Sequence, residues 1–183
     1  MEDIDIDCFV VTVICRIEVS PFCHGSNCND GYVTLNGVKV WSGCESPTRG
    51  LHIILINPFK CTKLESRAFN YYEHPELARE EGIQSYVDRD TSVVLIGVTV
   101  DDPIENLAPF YYKLKRYMGV SVEDVKYRGA FSFVLQRDYP EKTVFRKAID
   151  LDQCKNGQAR LSAVVAGINI DLSHSTHTVG WSN

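Results

Sequence analysis

Two neighbouring carboxylates, Asp101 and Asp102, follow directly on the apolar run Ser92-Val-Val-Leu-Ile-Gly-Val-Thr-Val100. That run is too short for a buried helix and rich in β-branched residues, so it predicts a largely buried strand. A polar side chain on the loop after such a strand is held by a rigid sheet yet faces solvent, which makes Asp102 the best-placed candidate residue, with Asp101 assisting. Adjacent carboxylates also suggest Ca²⁺. Calcium, however, takes about six to eight oxygens from a spaced acidic loop, and none is present, so a solvated acidic turn before Pro103 is the better reading. Asp88-Arg-Asp90 has the Asp-x-Asp look of a metal–nucleotide site, but no nucleotide-binding βαβ unit surrounds it. His174-Ser-Thr-His177, with Cys23-His24 and Cys28, raises zinc. A single His-x-x-His pair in a polar tail falls short of the two tight ligand pairs of a structural zinc site. Five scattered histidines and no nucleophile elbow predict no enzyme, no metal and no cofactor.

The elements that must hold these residues are legible from periodicity. Val11, Val13, Cys15, Ile17 and Val19 share one face of a strand from Phe9 to Val19; Thr12, Ile14, Arg16 and Glu18 share the other. Ser20 to Gly31 reads as a loop. Tyr32 to Trp41 reads as a hairpin turning at Asn36-Gly37. Leu51–Ile56 and Lys63–Tyr72 follow as strands, then a charged helix from Pro75 to about Tyr86. Pro109 to Met118 predicts a second helix, with Phe110, Leu114 and Tyr117 on one face and Gly119 closing it. Tyr111, Tyr112 and Tyr117 are read as packing residues. Tyr127-Arg128-Gly129 then leads into a strand, Ala130–Leu135. Val144–Ile149 has no clear type, and Arg160–Leu172 returns to strand character with a glycine break.

The 183 residues, 44% hydrophobic and 23% charged, predict one domain with a real core. A net charge of −5 argues against nucleic acid as a partner, because phosphate binding needs a basic surface. No apolar run approaches the roughly 20 residues of a membrane span. Met1-Glu-Asp-Ile-Asp-Ile-Asp7 is acidic, unlike the start of a signal peptide, which leaves a cytosolic chain or a leader replaced by an initiating Met. Seven cysteines favour a disulfide-bearing, secreted protein over one with free buried thiols. Six can form three bridges in fifteen ways, with the odd one buried or paired between chains. Cys23 and Cys28 flank a short turn and could close a small loop; Cys44 and Cys61 bracket a strand. No Asn-x-Ser/Thr sequon occurs.

Several stretches taken in order resemble one known domain. They are Arg49-Gly-Leu-His-Ile-Ile-Leu-Ile-Asn57, Arg67-Ala-Phe-Asn-Tyr-Tyr72, Val94-Leu-Ile-Gly-Val-Thr-Val-Asp-Asp102, Arg116-Tyr-Met-Gly119 and Tyr127-Arg-Gly-Ala-Phe-Ser-Phe-Val134. The chain resembles the interleukin-like epithelial–mesenchymal transition inducer domain, which also forms the stem of the protein O-linked-mannose N-acetylglucosaminyltransferase. The resemblance spans about residues 9–154 and leaves residues 155–183 as an additional strand and tail. It implies an α/β (α+β) single domain, with antiparallel-rich sheets packed with two or three helices, secreted or lumenal and non-catalytic. In the transferase stem the domain binds β-linked N-acetylglucosamine through an aspartate and the arginine of a Trp-Arg-Asp motif, positions that match Asp102 and Arg128. Here that motif reads Tyr127-Arg128-Gly129, without its carboxylate. Thr34 lies near the place of the cytokine-like members' early hairpin cysteine, and Cys154 matches their C-terminal one.

A sugar site needs a carboxylate for hydroxyls, a fixed donor and often an aromatic face. Asp102, Arg128 and Tyr127 supply one of each, the arginine as a planar fork of donors. The plainer alternative is a surface ion pair worth little. The reading taken forward is a lectin-like module for N-acetylglucosamine-type glycans or glycoproteins, one weak site per chain, with a homo-oligomer supplying avidity. The rival is a cytokine-like ligand acting through a protein surface.

Overall fold

The computed structural model describes residues 9–45, 48–71, 73–74, 93–101, 111–136 and 143–171. Ten strands and two short helices make up this part of the chain. The strands are β1 (Phe9–Ser20), β2 (Phe22–Cys23), β3 (Tyr32–Leu35), β4 (Val38–Ser42), β5 (Gly50–Asn57), β6 (Thr62–Phe69), β7 (Val94–Asp101), β8 (Ala130–Gln136), β9 (Val144–Ala148) and β10 (Leu161–Asp171). The helices are α1 (Tyr111–Met118) and α2 (Leu151–Lys155). The expected α/β (α+β) class is therefore corrected: this is a β-rich fold of two sheets, with helices of eight and five residues. Asp102, Asp88, Asp90, His174, His177 and the charged helix from Pro75 lie outside the described residues, as does Cys8.

One sheet runs β10-β1-β3-β4 and the other β6-β5-β7-β8-β9, with neighbours antiparallel. The alternation in β1 sets how they stack. Cys15, Ile17 and Val19 point inward with Val33, Leu35 and Trp41, and meet Ile54, Ile56, Val94, Ile96 and Val98 of the second sheet. The opposite face of β5, β7 and β8 is also buried: Leu51, Ile53, Leu95, Phe131 and Phe133 pack under Leu114 of α1 and Val120, Val122 and Val125 of the segment after it. Burial on both faces explains why β5 and β7 read as unbroken apolar runs rather than alternating ones. Among the described residues, the cover on this face is Leu114 of α1 and the non-helical segment that carries Val120, Val122 and Val125.

Other elements follow the sequence closely. Asn36 (φ 50°) and Gly37 (φ 81°) make the hairpin turn between β3 and β4, both in the left-handed region such turns require. Residues 144–148 are a strand paired to β8. Within β10, Gly167 pairs with Val13 in unbroken register, so the expected glycine break is absent.

Three disulfides tie the layers: Cys15–Cys61, Cys23–Cys154 and Cys28–Cys44. None is the Cys23–Cys28 loop closure or a Cys44–Cys61 clasp. Such bridges fit an oxidising, extracellular setting. No helix among the described residues is long and apolar enough to cross a membrane.

One buried polar residue makes stability sensitive to acid. His52 is 1% exposed, its ring meets Trp41 edge-on at 5.1 Å, and Nε2–H donates to the Thr48 carbonyl at 2.7 Å. Burial pushes the imidazole below its ordinary 6.5, and the Thr48 bond offsets this only in part. The unfolded chain therefore takes up the proton first as pH falls. Stability is complete above about pH 6.5 and declines as pH drops towards the depressed value. Melting curves from pH 8 to pH 5 should show this decline, and His52→Gln, which keeps a donor but does not titrate, should show a shallower one.

Candidate ligand-binding site

The Tyr127-Arg128 segment is positioned from both sides. Gly119 N–H to the Lys115 carbonyl (3.2 Å) and Val120 N–H to the Leu114 carbonyl (3.0 Å) close α1. Val120, Val122 and Val125 then anchor the following chain in the core. Glu123 pairs with Lys115 at 3.2 Å, and Asp124 pairs with Lys147 of β9. The Ser121 hydroxyl, foremost, together with Glu123's own backbone and Lys115, holds the Glu123 carboxyl well below its usual range, at about 2. Lys126 N–H donates to the Ile149 carbonyl at 2.7 Å.

A tight turn follows, closed by Gly129 N–H to the Lys126 carbonyl at 2.9 Å. Arg128, its third residue, has φ 60°, a left-handed conformation normally left to Gly or Asn and costing an L-residue roughly 1–2 kcal/mol. The guanidinium sits 4.8 Å from the centre of the Tyr127 ring, and Tyr127 is 63% exposed. Arg128 Nε is buried with no hydrogen-bond partner among the described residues. Gly129 leaves no room for a side chain. A Cβ there would lie 2.5 Å from Val125 Cγ1 and 2.7 Å from the carbonyls of Ala148 and Ile149. Aspartate does not fit this backbone.

β7 and β8, the strands that lead to the predicted pair, are neighbours in one sheet, while Asp102 itself lies outside the described residues. β7 and β8 are in register to Val98–Ser132, and Thr99 Oγ1 then accepts from Phe131 N–H and donates to Phe131 O, each at 3.0 Å. Beyond that point β2 lies alongside β7, parallel, with Cys23 level with Asp101. Asp101 is the end of this strand, also at φ 60°. Its Oδ1 is 2.5 Å from His24 Nδ1 and its Oδ2 is 2.6 Å from Arg49 Nε. Asp101 is thus a corner pin joining β2, β7 and the approach to β5, with both oxygens engaged. This is where the structure places the residue expected to assist Asp102.

Cys23 and Cys28 are half-cystines, so neither is a thiolate for zinc beside His24. In the tyrosine cluster, Tyr111 packs on the core while Tyr112 is 61% exposed and receives a hydrogen bond from Arg116. The link of His24 and Arg49 to Asp101 is not legible in the sequence, because it exists only through sheet topology. Compared with known proteins, the chain matches no family model and no curated sequence.

Proposed function

We propose that this protein is a secreted, non-catalytic lectin-like module for glycans ending in N-acetylglucosamine or a related sugar, bound at Tyr127, Arg128 and Asp102. One observation carries the reading: Arg128 is held in a costly left-handed turn, with a buried Nε that has no hydrogen-bond partner among the described residues, beside a largely exposed tyrosine. Strain of this kind is kept where a side chain is needed in one place. Arg128 supplies directed donors for hydroxyl or acetamide oxygens, and Tyr127 an apolar face for the sugar ring. The resemblance of residues 94–102 and 127–134 to the glycan-binding domain assigns the carboxylate to Asp102. A single shallow site binds weakly, so assembly into an oligomer, for which the edge strand β10 is suited, supplies avidity.

Saturation-transfer NMR with methyl β-N-acetylglucosaminide tests the reading. Wild-type protein should transfer saturation to the acetyl methyl group, and Asp102→Ala should lose the signal at an unchanged melting temperature. A signal retained in Asp102→Ala would remove that residue from the site.

A further inference from the structure

The outer face of the four-stranded sheet, away from Tyr127, carries a second set of unused polar groups. β1, β3 and β10 are in register so that Glu18 sits opposite both Ser162 and Thr34. A cleft of about 280 Å³ opens over this row, walled by Tyr32, Arg160, Glu18 and Ser162, with the backbone of Val19 and Leu161 beneath. A second cleft of about 450 Å³, lined by Arg16 and Asn36, joins it at Glu18. Together they make a groove large enough for a short oligosaccharide.

Charge distribution in the groove decides what it suits. Glu18, Arg16 and Arg160 are all exposed, and among the described residues none of the three side chains makes an ion pair. Lys39 adds a further cation, 6.0 Å from the centre of the Tyr32 ring. The side chain of Thr34 lies beside this row with Oγ1 buried and no hydrogen-bond partner among the described residues. Arg160 is held at the rim by its backbone N–H to the Gly157 carbonyl at 3.0 Å. Among the described residues, cations outnumber the one carboxylate lining this groove, although the chain as a whole carries −5. Arginine forks match a carboxylate in two parallel bonds; a carboxylate such as Glu18 accepts from vicinal hydroxyls; Tyr32 offers a ring face.

We infer that this groove is a second saccharide site, selective for short oligosaccharides bearing a sugar carboxylate. Arg160 takes the acidic group and Glu18 the neighbouring hydroxyls, while Arg16, in the adjoining cleft, flanks the rest of the ligand. The inference stands apart from the Tyr127–Arg128 reading, since it uses other residues on another face and a different ligand charge.

The test is titration of the full chain with 3′-sialyllactose and with trigalacturonate, with lactose as the neutral control. At least one acidic trisaccharide should bind, and lactose should bind about tenfold more weakly or not at all. Arg160→Ala and Glu18→Gln should each weaken the acidic ligand by about tenfold, whereas Arg128→Ala should leave it unchanged. Glu18 lies on an exposed sheet face and Arg160 is exposed just before β10, and melting curves confirm the fold. Silence with both acidic probes, equal binding of lactose, or unchanged affinity in Arg160→Ala and Glu18→Gln would overturn the inference. Loss of acidic-sugar binding in Arg128→Ala would likewise overturn it, by moving that ligand to the other site.

Discussion

Replacing Cys23 and Cys154 together with serine is expected to cost more stability than removing any other bridge, about 5 kcal/mol by loop-closure entropy. The bridge spans 131 residues of sequence, against 46 for Cys15–Cys61 and 16 for Cys28–Cys44. The same relation gives about 4 and about 3 kcal/mol for those two. The local structure points the same way. β2 is two residues long, lies beside β7 at Asp101, and is joined covalently to α2 through Cys23. Without the bridge, β2 keeps that short pairing, the packing of Phe22 on the core and the His24–Asp101 contact, but loses its covalent tie to α2. Urea unfolding of the three double-serine variants should rank them in this order. A Cys28–Cys44 variant weaker than the Cys23–Cys154 variant would show that loop entropy is not what these bridges chiefly contribute.

Arg128→Gly is expected to raise stability while abolishing ligand binding. Glycine adopts φ 60° freely, so the substitution relieves roughly 1–2 kcal/mol of backbone cost. Against that stands the contact with Tyr127, worth about 0.5–1 kcal/mol at an exposed site. The net should be a gain of roughly 0.5–1 kcal/mol in denaturant unfolding. A turn residue that serves only the fold would not be the one whose replacement improves it. Arg128→Lys keeps the charge but loses the fork, and should lower affinity without recovering the stability. If Arg128→Gly instead destabilised the protein, the arginine would be a structural element of the turn, and the functional argument from strain would fall.

How much of this could be read from the chain depends on the range of the contacts involved. The face of β1 that carries Cys15, Ile17 and Val19, the Asn36-Gly37 turn and the helix ending at Gly119 all follow from local spacing, and all are present. The cysteine pairs do not, since six cysteines permit many pairings and only the sheet order brings Cys23 to Cys154. α2 is five residues long, with Asp150 capping it through Gln153 N–H, too short to show a helical period. The helix expected near residues 109–118 is present as Tyr111–Met118, but the fold class is set by the ten strands in two sheets, against two short helices among the described residues. The exposure of Tyr127 and the left-handed backbone of Arg128 are not legible from local spacing, and neither are the partners of Asp101, which come from β2 and from the approach to β5. The outward alternation of Arg16 and Glu18 was visible in β1, but the groove they form with Arg160 needed the β1–β10 register.

The most direct test of the central claim is a glycan-array screen of the wild-type protein and Arg128→Ala side by side. Signal on N-acetylglucosamine-ended glycans in the wild type, lost in the variant while its melting temperature holds, is the predicted result. Silence from folded wild-type protein on those glycans, or the same signal from Arg128→Ala, would contradict it.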